Sequence, residues 1–362
     1  MNAVEATAGY ERWLRAQLAT VLDDDLALKH ERMAESANLF LRGTYYLWLS
    51  RVREEAPPKL VQAPELLAVG DLHVENFGCW RDVEGRLAWG VNDFDELATL
   101  PYTYDLLRLC TSAVVAVREE RLPLHEREVC EVVLDGYHHG LEHGGGPFVA
   151  AERHAWLAAL QAARAADAAA FWERLNALPA LDQALPAQAQ ARLDALAPGS
   201  DWRPLLHRRT AGMGSLGRLR AVAVGDWQGG LVARELKELA PPASDWVLQR
   251  DERPARPQAG PSWAPDPFVA AAEGWQCRRL APDCVKLELG DYERGEERHL
   301  LRAMGLETAN VHQRSSPDAV ARVRAHAARL DAAPLRAAVE NLAATVEHDW
   351  HDWRTSGRTR NR

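Results

Sequence analysis

Apolar positions recur at helical spacing near the start of the chain. Residues 5–24 predict an amphipathic helix, because an apolar stripe runs along one of its faces. The stripe consists of Trp13, Leu14, Leu18, Val21 and Leu22. Residues 25–55 continue in the same style, and Pro57 and Pro58 end the region.

Helical patterns return in the middle and at the end of the chain. Residues 106–117 and 124–143 predict helices, and residues 150–198 are Ala-rich and helical. Residues 268–272 also fit a short helix. The end of the chain predicts helices at 297–304, 318–330 and 335–353, and residues 305–312 are expected to interrupt the first two.

Strand-like patterns are confined to a few stretches. Residues 66–69 predict a short strand, and residues 86–91 predict one arm of a hairpin after the turn at Glu84-Gly85. Residues 218–224 and 231–239 predict two further strands, joined by a turn at 225–230. The combination of many helices with short antiparallel strands predicts an α+β fold.

Composition and charge narrow the functional classes. The chain has 362 residues, 47% apolar and 26% charged, with a formal net charge of −9. This balance is typical of a globular protein, and the acidic charge argues against a nucleic-acid partner. We expect no membrane span and no signal peptide, and therefore a cytoplasmic protein. The five scattered cysteines argue against a disulfide framework.

Two acidic clusters flank the predicted hairpin. Residues 70–76 read Gly-Asp-Leu-His-Val-Glu-Asn, and residues 92–96 read Asn-Asp-Phe-Asp-Glu. Asp71 and Asn76 have the Asp-x-x-x-x-Asn spacing of a kinase catalytic loop, and Asp93 follows in an Asp-Phe-Asp segment. Such a set can orient an attacking hydroxyl and hold Mg²⁺ against phosphates. The Gly-Asp-x-His-x-x-Asn form resembles the aminoglycoside and choline kinase branch of the kinase-like superfamily.

A second motif lies much later in the chain. Residues 212–217 read Gly-Met-Gly-Ser-Leu-Gly, which matches Gly-x-Gly-x-x-Gly. A strand follows the motif where a dinucleotide-binding fold needs a helix, so the context favours a kinase glycine-rich loop. Lys237 follows Gly217 by 20 residues, where a phosphate-pairing lysine is expected. Glu235, Glu238 or a glutamate on a neighbouring helix could be the ion-pair partner of Lys237.

The order of the two motifs is reversed relative to an ordinary kinase. The glycine motif follows the catalytic motif by about 140 residues. A circular permutation would account for this order, since surface termini that lie close together allow one. We therefore expect a permuted, protein-kinase-like, two-lobed fold. Residues 1–200 would form a helix-rich lobe, 201–292 a β-rich nucleotide-binding lobe, and 293–362 helices that pack on the first lobe.

The motifs together resemble one bacterial family, the domain-of-unknown-function family 2252. The chain has Leu72 where the pattern expects Ala. The resemblance implies a kinase-like fold but gives no substrate. It rests on Met33-Ala34-Glu35-Ser36, Phe40-Leu41-Arg42-Gly43, residues 70–78, residues 92–96, residues 212–217 and Leu236-Lys237-Glu238.

The favoured hypothesis is an ATP- and Mg²⁺-dependent phosphotransferase that acts on a small-molecule hydroxyl. The catalytic candidates are Asp71 and His73, and the metal candidates are Asn76, Asp93 and Asp95. The nucleotide candidates are Gly212, Gly214, Ser215, Gly217, Lys237 and Glu238. Arg42 and Arg108 could clamp a phosphate or a carboxylate.

Three alternatives remain open at this point. The same metal ligands would serve a nucleotidyltransferase that modifies protein side chains. A non-catalytic pseudokinase would bind nucleotide without turnover. A metal-dependent phosphohydrolase would use the acidic hairpin alone and would leave the glycine motif and Lys237 unexplained. The acceptor and the oligomeric state do not follow from the sequence.

Overall fold

The fold was analysed in a computed structural model that describes residues 1–164, 167–251, 262–284 and 295–356. Helices dominate the described residues. They are α1 (Ala3–Gln17), α2 (Asp23–Glu35), α3 (Ala37–Gly43), α4 (Tyr45–Glu55), α5 (Pro58–Val61), α6 (Thr103–Arg118), α7 (Glu126–His143), α8 (Ala150–Arg153), α9 (Ala155–Arg164), α10 (Ala168–Asn176), α11 (Ala187–Ala195), α12 (Ala243–Leu248), α13 (Glu297–His312), α14 (Pro317–Ala327) and α15 (Ala332–Thr355).

The strands form antiparallel sheets. They are β1 (Glu65–Ala68), β2 (Phe77–Arg81), β3 (Leu87–Val91), β4 (Ala98–Pro101), β5 (Phe148–Val149), β6 (Leu205–Arg208), β7 (Arg220–Trp227), β8 (Gly230–Glu238), β9 (Val269–Ala272) and β10 (Trp275–Leu280). β1 pairs with β4, and β2, β3 and β5 form a second sheet. The third sheet has the order β6-β7-β8-β10-β9. The predicted α+β class is therefore confirmed.

The main hydrophobic core lies among the helices. Residues from α1 to α4, α6, α7, α13, α14 and α15 contribute to one buried cluster. Arg51 on α4 anchors α15 to the N-terminal helices through Asp349, with N–O distances of 2.8 and 3.0 Å. The C-terminal helices therefore pack on the N-terminal ones. The division of the chain into three domains stays a prediction.

The helix predicted over residues 5–24 ends at Gln17, and α2 begins only at Asp23. Two further predictions about helices are wrong. Residues 269–272 form strand β9, which pairs with β10 across a tight turn at Glu273 and Gly274. Both turn residues have positive φ, 51° and 76°, as a two-residue hairpin turn requires. The second error is the expected interruption at 305–312, because α13 is continuous there.

Glycines allow α13 to lie directly against α7. A Cβ on Gly305 would fall 2.0 Å from the Val133 carbonyl oxygen, and a Cβ on Gly136 would fall 1.9 Å from the Arg302 carbonyl oxygen. Only residues without a Cβ permit two backbones to approach so closely. Gly305 is thus a packing residue within the helix and not a helix breaker.

The five-stranded sheet has two distinct faces. One face carries Ala221, Leu236 and Cys277, which pack with α11 in a small apolar cluster. The other face is apolar at Val222 and Val224, which pack with α10. Near the ends of β7 and β8 this second face becomes charged, and that charged part borders the site described below. Within the described ranges, no helix is both long enough and apolar enough to cross a membrane.

Candidate active site

The hairpin of β2 and β3 brings the two acidic clusters together. Phe77 pairs with Val91, so the residue before β2 lies beside the residue after β3. The Asn92 N–H donates to the Asn76 carbonyl oxygen at 3.1 Å and extends this pairing. The predicted hairpin is therefore confirmed, and it places the two acidic clusters side by side.

The Asn76 side chain ties the two clusters to each other. Its Nδ2 donates to the carbonyl oxygens of Asp71 and Asp93, at 3.0 and 3.2 Å. Its Oδ1 accepts the Asp93 N–H at 3.1 Å. The amide thus fixes the positions of both aspartates, and its oxygen keeps a second lone pair with which it could bind a metal.

Asp71 is held from one side by Arg108. The Nε and Nη2 of Arg108 donate to Asp71 Oδ1 at 2.9 and 2.7 Å, and Nη2 also donates to the Leu41 carbonyl oxygen. Arg108 is fully buried and lies over the rings of Tyr45 and Trp48. Burial raises the pKa of Asp71 above its ordinary value, although Arg108 acts in the opposite direction.

Lys237 joins the acidic hairpin to the five-stranded sheet. Its Nζ lies 3.2 Å from both carboxylate oxygens of Asp93 and 2.5 Å from Asp95 Oδ2. Lys237 is buried, whereas the Asp93 side chain is 39% exposed. Burial and the neighbouring Asp93 charge raise the pKa of Asp95, while Lys237 opposes them. The expected partners Glu235 and Glu238 do not form this ion pair, and that expectation is wrong.

The glycine segment, residues 212–217, lies over Asp71. It lies in the connection between β6 and β7, and residues 213–215 form a 3₁₀ turn. Gly212 and Gly217 have φ of +79° and +97°, a conformation that favours glycine. At Gly214, a Cβ would lie 3.8 Å from Asp71 Oδ2, so this backbone faces the free side of the Asp71 carboxylate.

A small cavity lies between these elements. Its volume is about 60 Å³, enough for a few water molecules. Both predicted motifs contribute to its walls. The predicted residues that line it are Arg42, Asp71, His73, Asn76, Asp93, Asp95, Gly212, Gly214 and Ser215.

Other predicted residues have different roles. Glu238 lies next to Lys237 on β8 and therefore points to the opposite side of the strand, where it approaches the Leu219 N–H at 3.4 Å. His73 Nδ1 accepts the Glu75 N–H at 3.2 Å and so supports the loop. Arg42 forms an ion pair with Glu75, which also binds Arg121 at 2.6 Å.

The structure adds two charged residues that the sequence reasoning missed. Arg218 is buried in the cavity wall, and its Nη1 lies 3.4 Å from Asp95 Oδ2. Glu96 also lines the cavity and accepts the Ala243 N–H, and burial raises the pKa of Glu96 to about 8. Arg218 follows the glycine motif directly, and Glu96 ends the acidic cluster. Their positions next to the two motifs are the sequence feature that could have identified them as site residues.

The oxygen donors at the cavity are of the kind that a magnesium ion uses. No group of three His, Cys, Asp or Glu side chains in the described part of the chain is arranged to hold a metal. Asp93, Asp95 and Asn76 offer two carboxylates and an amide oxygen. Mg²⁺ commonly takes one or two carboxylates and completes its shell with water and phosphate oxygens.

The fold and site together define an α+β protein with a buried polar cavity between an acidic hairpin and an antiparallel sheet. Residues 22–174 match the family described as "Uncharacterized protein conserved in bacteria (DUF2252)". The family predicted from the motifs is thereby confirmed over this segment, which holds both acidic clusters. No curated protein and no solved structure matches the chain.

Proposed function

We propose that the protein is an ATP- and Mg²⁺-dependent phosphotransferase with a small-molecule hydroxyl acceptor. One observation carries the proposal. Lys237 forms ion pairs with Asp93 and Asp95, which lie more than 140 residues earlier in the chain. A phosphate-pairing lysine beside the metal-binding aspartate is the arrangement that phosphoryl transfer requires.

The sheet supports a kinase-like assignment. In protein kinases a glycine-rich loop covers the phosphates and the lysine lies on the third strand. Here the glycine segment connects β6 to β7, and Lys237 lies on β8, the third strand of that sheet in chain order. We infer a circularly permuted order, with the nucleotide lobe following the catalytic lobe. The packing of α15 against α1 to α4 supports it, because these contacts join the two ends of the chain.

Asp71 is the proposed catalytic base. Its Oδ1 is occupied by Arg108, and its Oδ2 faces the cavity near Gly214. The raised pKa suits a group that accepts a proton from an attacking hydroxyl, since a base works best when its pKa lies nearer to the working pH. Arg108 fixes the orientation of the carboxylate.

Asp93, Asp95 and Asn76 are the proposed magnesium ligands. Bound Mg²⁺ would neutralise charge on the phosphates during transfer. The Lys237 ammonium group lies between the carboxylates of Asp93 and Asp95, which shows that this position favours a cation. When ligand binds, we expect Lys237 to exchange part of this contact for a phosphate oxygen.

The nucleotide needs more room than the present cavity offers. A volume of about 60 Å³ holds a few water molecules but not a nucleoside triphosphate. We therefore expect the glycine segment to move away from Asp71 on binding. Gly212 and Gly217 flank the 3₁₀ turn and could absorb the backbone change, because glycine adopts many conformations at low cost.

Calorimetric titration of ATP, with and without Mg²⁺, tests the proposal. The wild type should bind ATP in a Mg²⁺-dependent manner, and both Lys237→Ala and Asp93→Ala should lose this binding. Asp226→Ala is the matched control, because Asp226 is exposed at the far end of β7. Absence of binding to the wild type would contradict the proposal and would favour the phosphohydrolase. If the wild type does bind ATP, mass spectrometry of the product separates phosphoryl transfer from nucleotidyl transfer.

A further inference from the structure

Three arginines surround one buried glutamate on the charged part of the sheet. The Glu235 carboxylate contacts Arg209 at 2.7 Å, Arg220 at 3.2 Å and Arg278 at 2.7 Å. Although burial acts in the opposite direction, Arg278, Arg220 and Arg209 hold the pKa of Glu235 well below its ordinary value. The three guanidinium groups therefore favour the ionised form of Glu235.

The register of the sheet places this cluster beside Lys237. Glu235 pairs with Val222 on β7 and with Arg278 on β10, while Lys237 pairs with Arg220. Alternate residues of a strand point to the same face, so Glu235 and Lys237 share a face. The Arg209 N–H donates to the Arg220 carbonyl oxygen. This hydrogen bond places the Arg209 side chain at the edge of the charged part of the sheet.

The arginines also contact both motifs of the candidate site. Arg220 donates to Ser215 Oγ in the glycine segment at 2.7 Å. Arg278 donates to Asn92 Oδ1, next to Asp93, at 3.0 Å. Arg209 and Arg278 are 29% and 24% exposed in their side chains, so a ligand could reach them.

Positive charge exceeds negative charge in this cluster. All the ion pairs that the described residues form with Arg209, Arg220 and Arg278 go to Glu235. Asp93 and Asp95 pair with Lys237, and their charges also act on Arg278. Counted together, the four cations of this region face three carboxylates, so one positive charge is in excess. Partly buried charge is costly without a counter-charge, so the cluster favours an anionic ligand.

The glycine segment packs closely against Arg220. A Cβ at Gly212 would lie 3.2 Å from Arg220 Nη2, so a side chain at this position would crowd the guanidinium group. Guanidinium groups bind phosphate oxygens through paired hydrogen bonds. We propose that Arg209, Arg220 and Arg278 form a polyphosphate subsite, which extends along the sheet from Lys237 and receives phosphate groups of the nucleotide. The assignment to a nucleotide rests on the proposed function.

Inorganic tripolyphosphate is the probe that separates this subsite from recognition of the base. It is titrated by calorimetry into the wild type and into Arg278→Gln and Arg209→Gln, each first checked for an unchanged thermal unfolding transition. Arg279→Gln is the matched control, because Arg279 is the next residue on β10, points to the opposite face and is similarly exposed, at 20%. Should Arg278→Gln lose stability, Arg209→Gln still provides the test, since Arg209 lies outside the strands.

We expect both variants to bind tripolyphosphate at least about tenfold more weakly than the wild type, as the loss of charge-assisted hydrogen bonds implies, with the control within about twofold. No binding to the wild type, or equal losses in Arg278→Gln and Arg279→Gln, would overturn the subsite. Mg²⁺-dependent ATP binding that requires Lys237 but not Arg278 would also overturn the subsite and leave the proposed function standing. Tripolyphosphate binding that requires the arginines, without ATP binding, would support the subsite and overturn the nucleotide function.

Discussion

Asp105 Oδ1 accepts a 2.9 Å hydrogen bond from the backbone N–H of Gly70, the residue that precedes Asp71. Its Oδ2 accepts the Val69 N–H at 2.7 Å and lies 2.8 Å from His312 Nε2. Both side chains of this Asp105–His312 pair are fully buried. Gly70 has a φ of +87°, so Asp105 holds the backbone in the turn that presents Asp71.

Asp105→Asn should destabilise the protein by about 3 kcal/mol. The new amide NH₂ would face a buried N–H donor, and the carboxylate charge that Val69, Gly70 and His312 contact would be lost. Denaturant unfolding followed by tryptophan fluorescence measures the change. The exposed Asp226→Asn should leave the free energy of unfolding unchanged within about 0.5 kcal/mol. A loss below about 1 kcal/mol for Asp105→Asn would show that the backbone holds the turn unaided.

Asp71→Asn should lower nucleotide turnover by about 10²–10⁴-fold, because the amide cannot accept the proton of the hydroxyl. Its ATP affinity should stay within a few-fold of the wild type, since Asp71 is not among the proposed ligands of the nucleotide. ADP release and calorimetry measure the two quantities on the same preparation. Turnover within about threefold of the wild type would remove Asp71 from the catalytic role.

Gly214 can be varied to fill the cavity without disturbing the fold. An added Cβ would make ordinary contacts, at 3.6 Å to the Arg42 carbonyl oxygen and 3.8 Å to Asp71 Oδ2, so Gly214→Ala should be tolerated. Gly214→Leu should extend into the cavity and weaken ATP binding more than about tenfold, because the phosphates and the side chain compete for one space. Gly146→Leu, which adds a side chain in open space, is the control for calorimetry and thermal unfolding.

The shifted pKa of Glu307, a residue outside the candidate site, predicts that the stability of the protein depends on pH. Burial raises the pKa of this carboxyl from 4.5 to about 7, although the Asn310 amide acts in the opposite direction. The folded state therefore binds more protons than the unfolded state between these values, and stability falls as the pH rises from 4.5 to 7. The contribution of Glu307 amounts to roughly 3 kcal/mol across that range, and it changes little above it.

Glu307→Gln should flatten the stability profile, since the amide does not titrate. Chemical denaturation at intervals between pH 5 and pH 8 measures the difference between the variant and the wild type. Glu84→Gln, at an exposed hairpin turn, serves as the control. A variant profile parallel to that of the wild type would mean that Glu307 stays ionised in the folded state.

The sequence predicts elements well where a local signal decides the structure. The turn at Glu84-Gly85 and the strands on either side fix the hairpin of β2 and β3, as found. Prediction from sequence fails where packing between distant segments decides the structure. In the sequence, Gly305 resembles a helix breaker, but in the structure it allows α7 to pack closely against α13. Residues 269–272 form a strand because they pair with β10.

The same distinction applies to the candidate site. Spacing within each motif identifies Asp71, Asn76, Asp93 and Lys237, and all but Lys237 line the cavity, with Lys237 in contact with Asp93. The partner of Lys237 could not be identified in this way, because it depends on how the sheet meets the hairpin. Arg209, Arg220 and Arg278 form a cluster only through the register of three strand pairs, which no local pattern encodes.

The glycine contact between α7 and α13 has a consequence for biosynthesis. α7 ends at His143, and α13 begins only at Glu297. At about 5–20 residues per second, a ribosome needs roughly 10–30 s to synthesise the residues between the two helices. During this time the glycine-containing face of α7 has no partner helix in the nascent chain. Until α13 is made, the face of α7 that it covers stays exposed, and a polypeptide that stops before α13 would present a surface that favours aggregation.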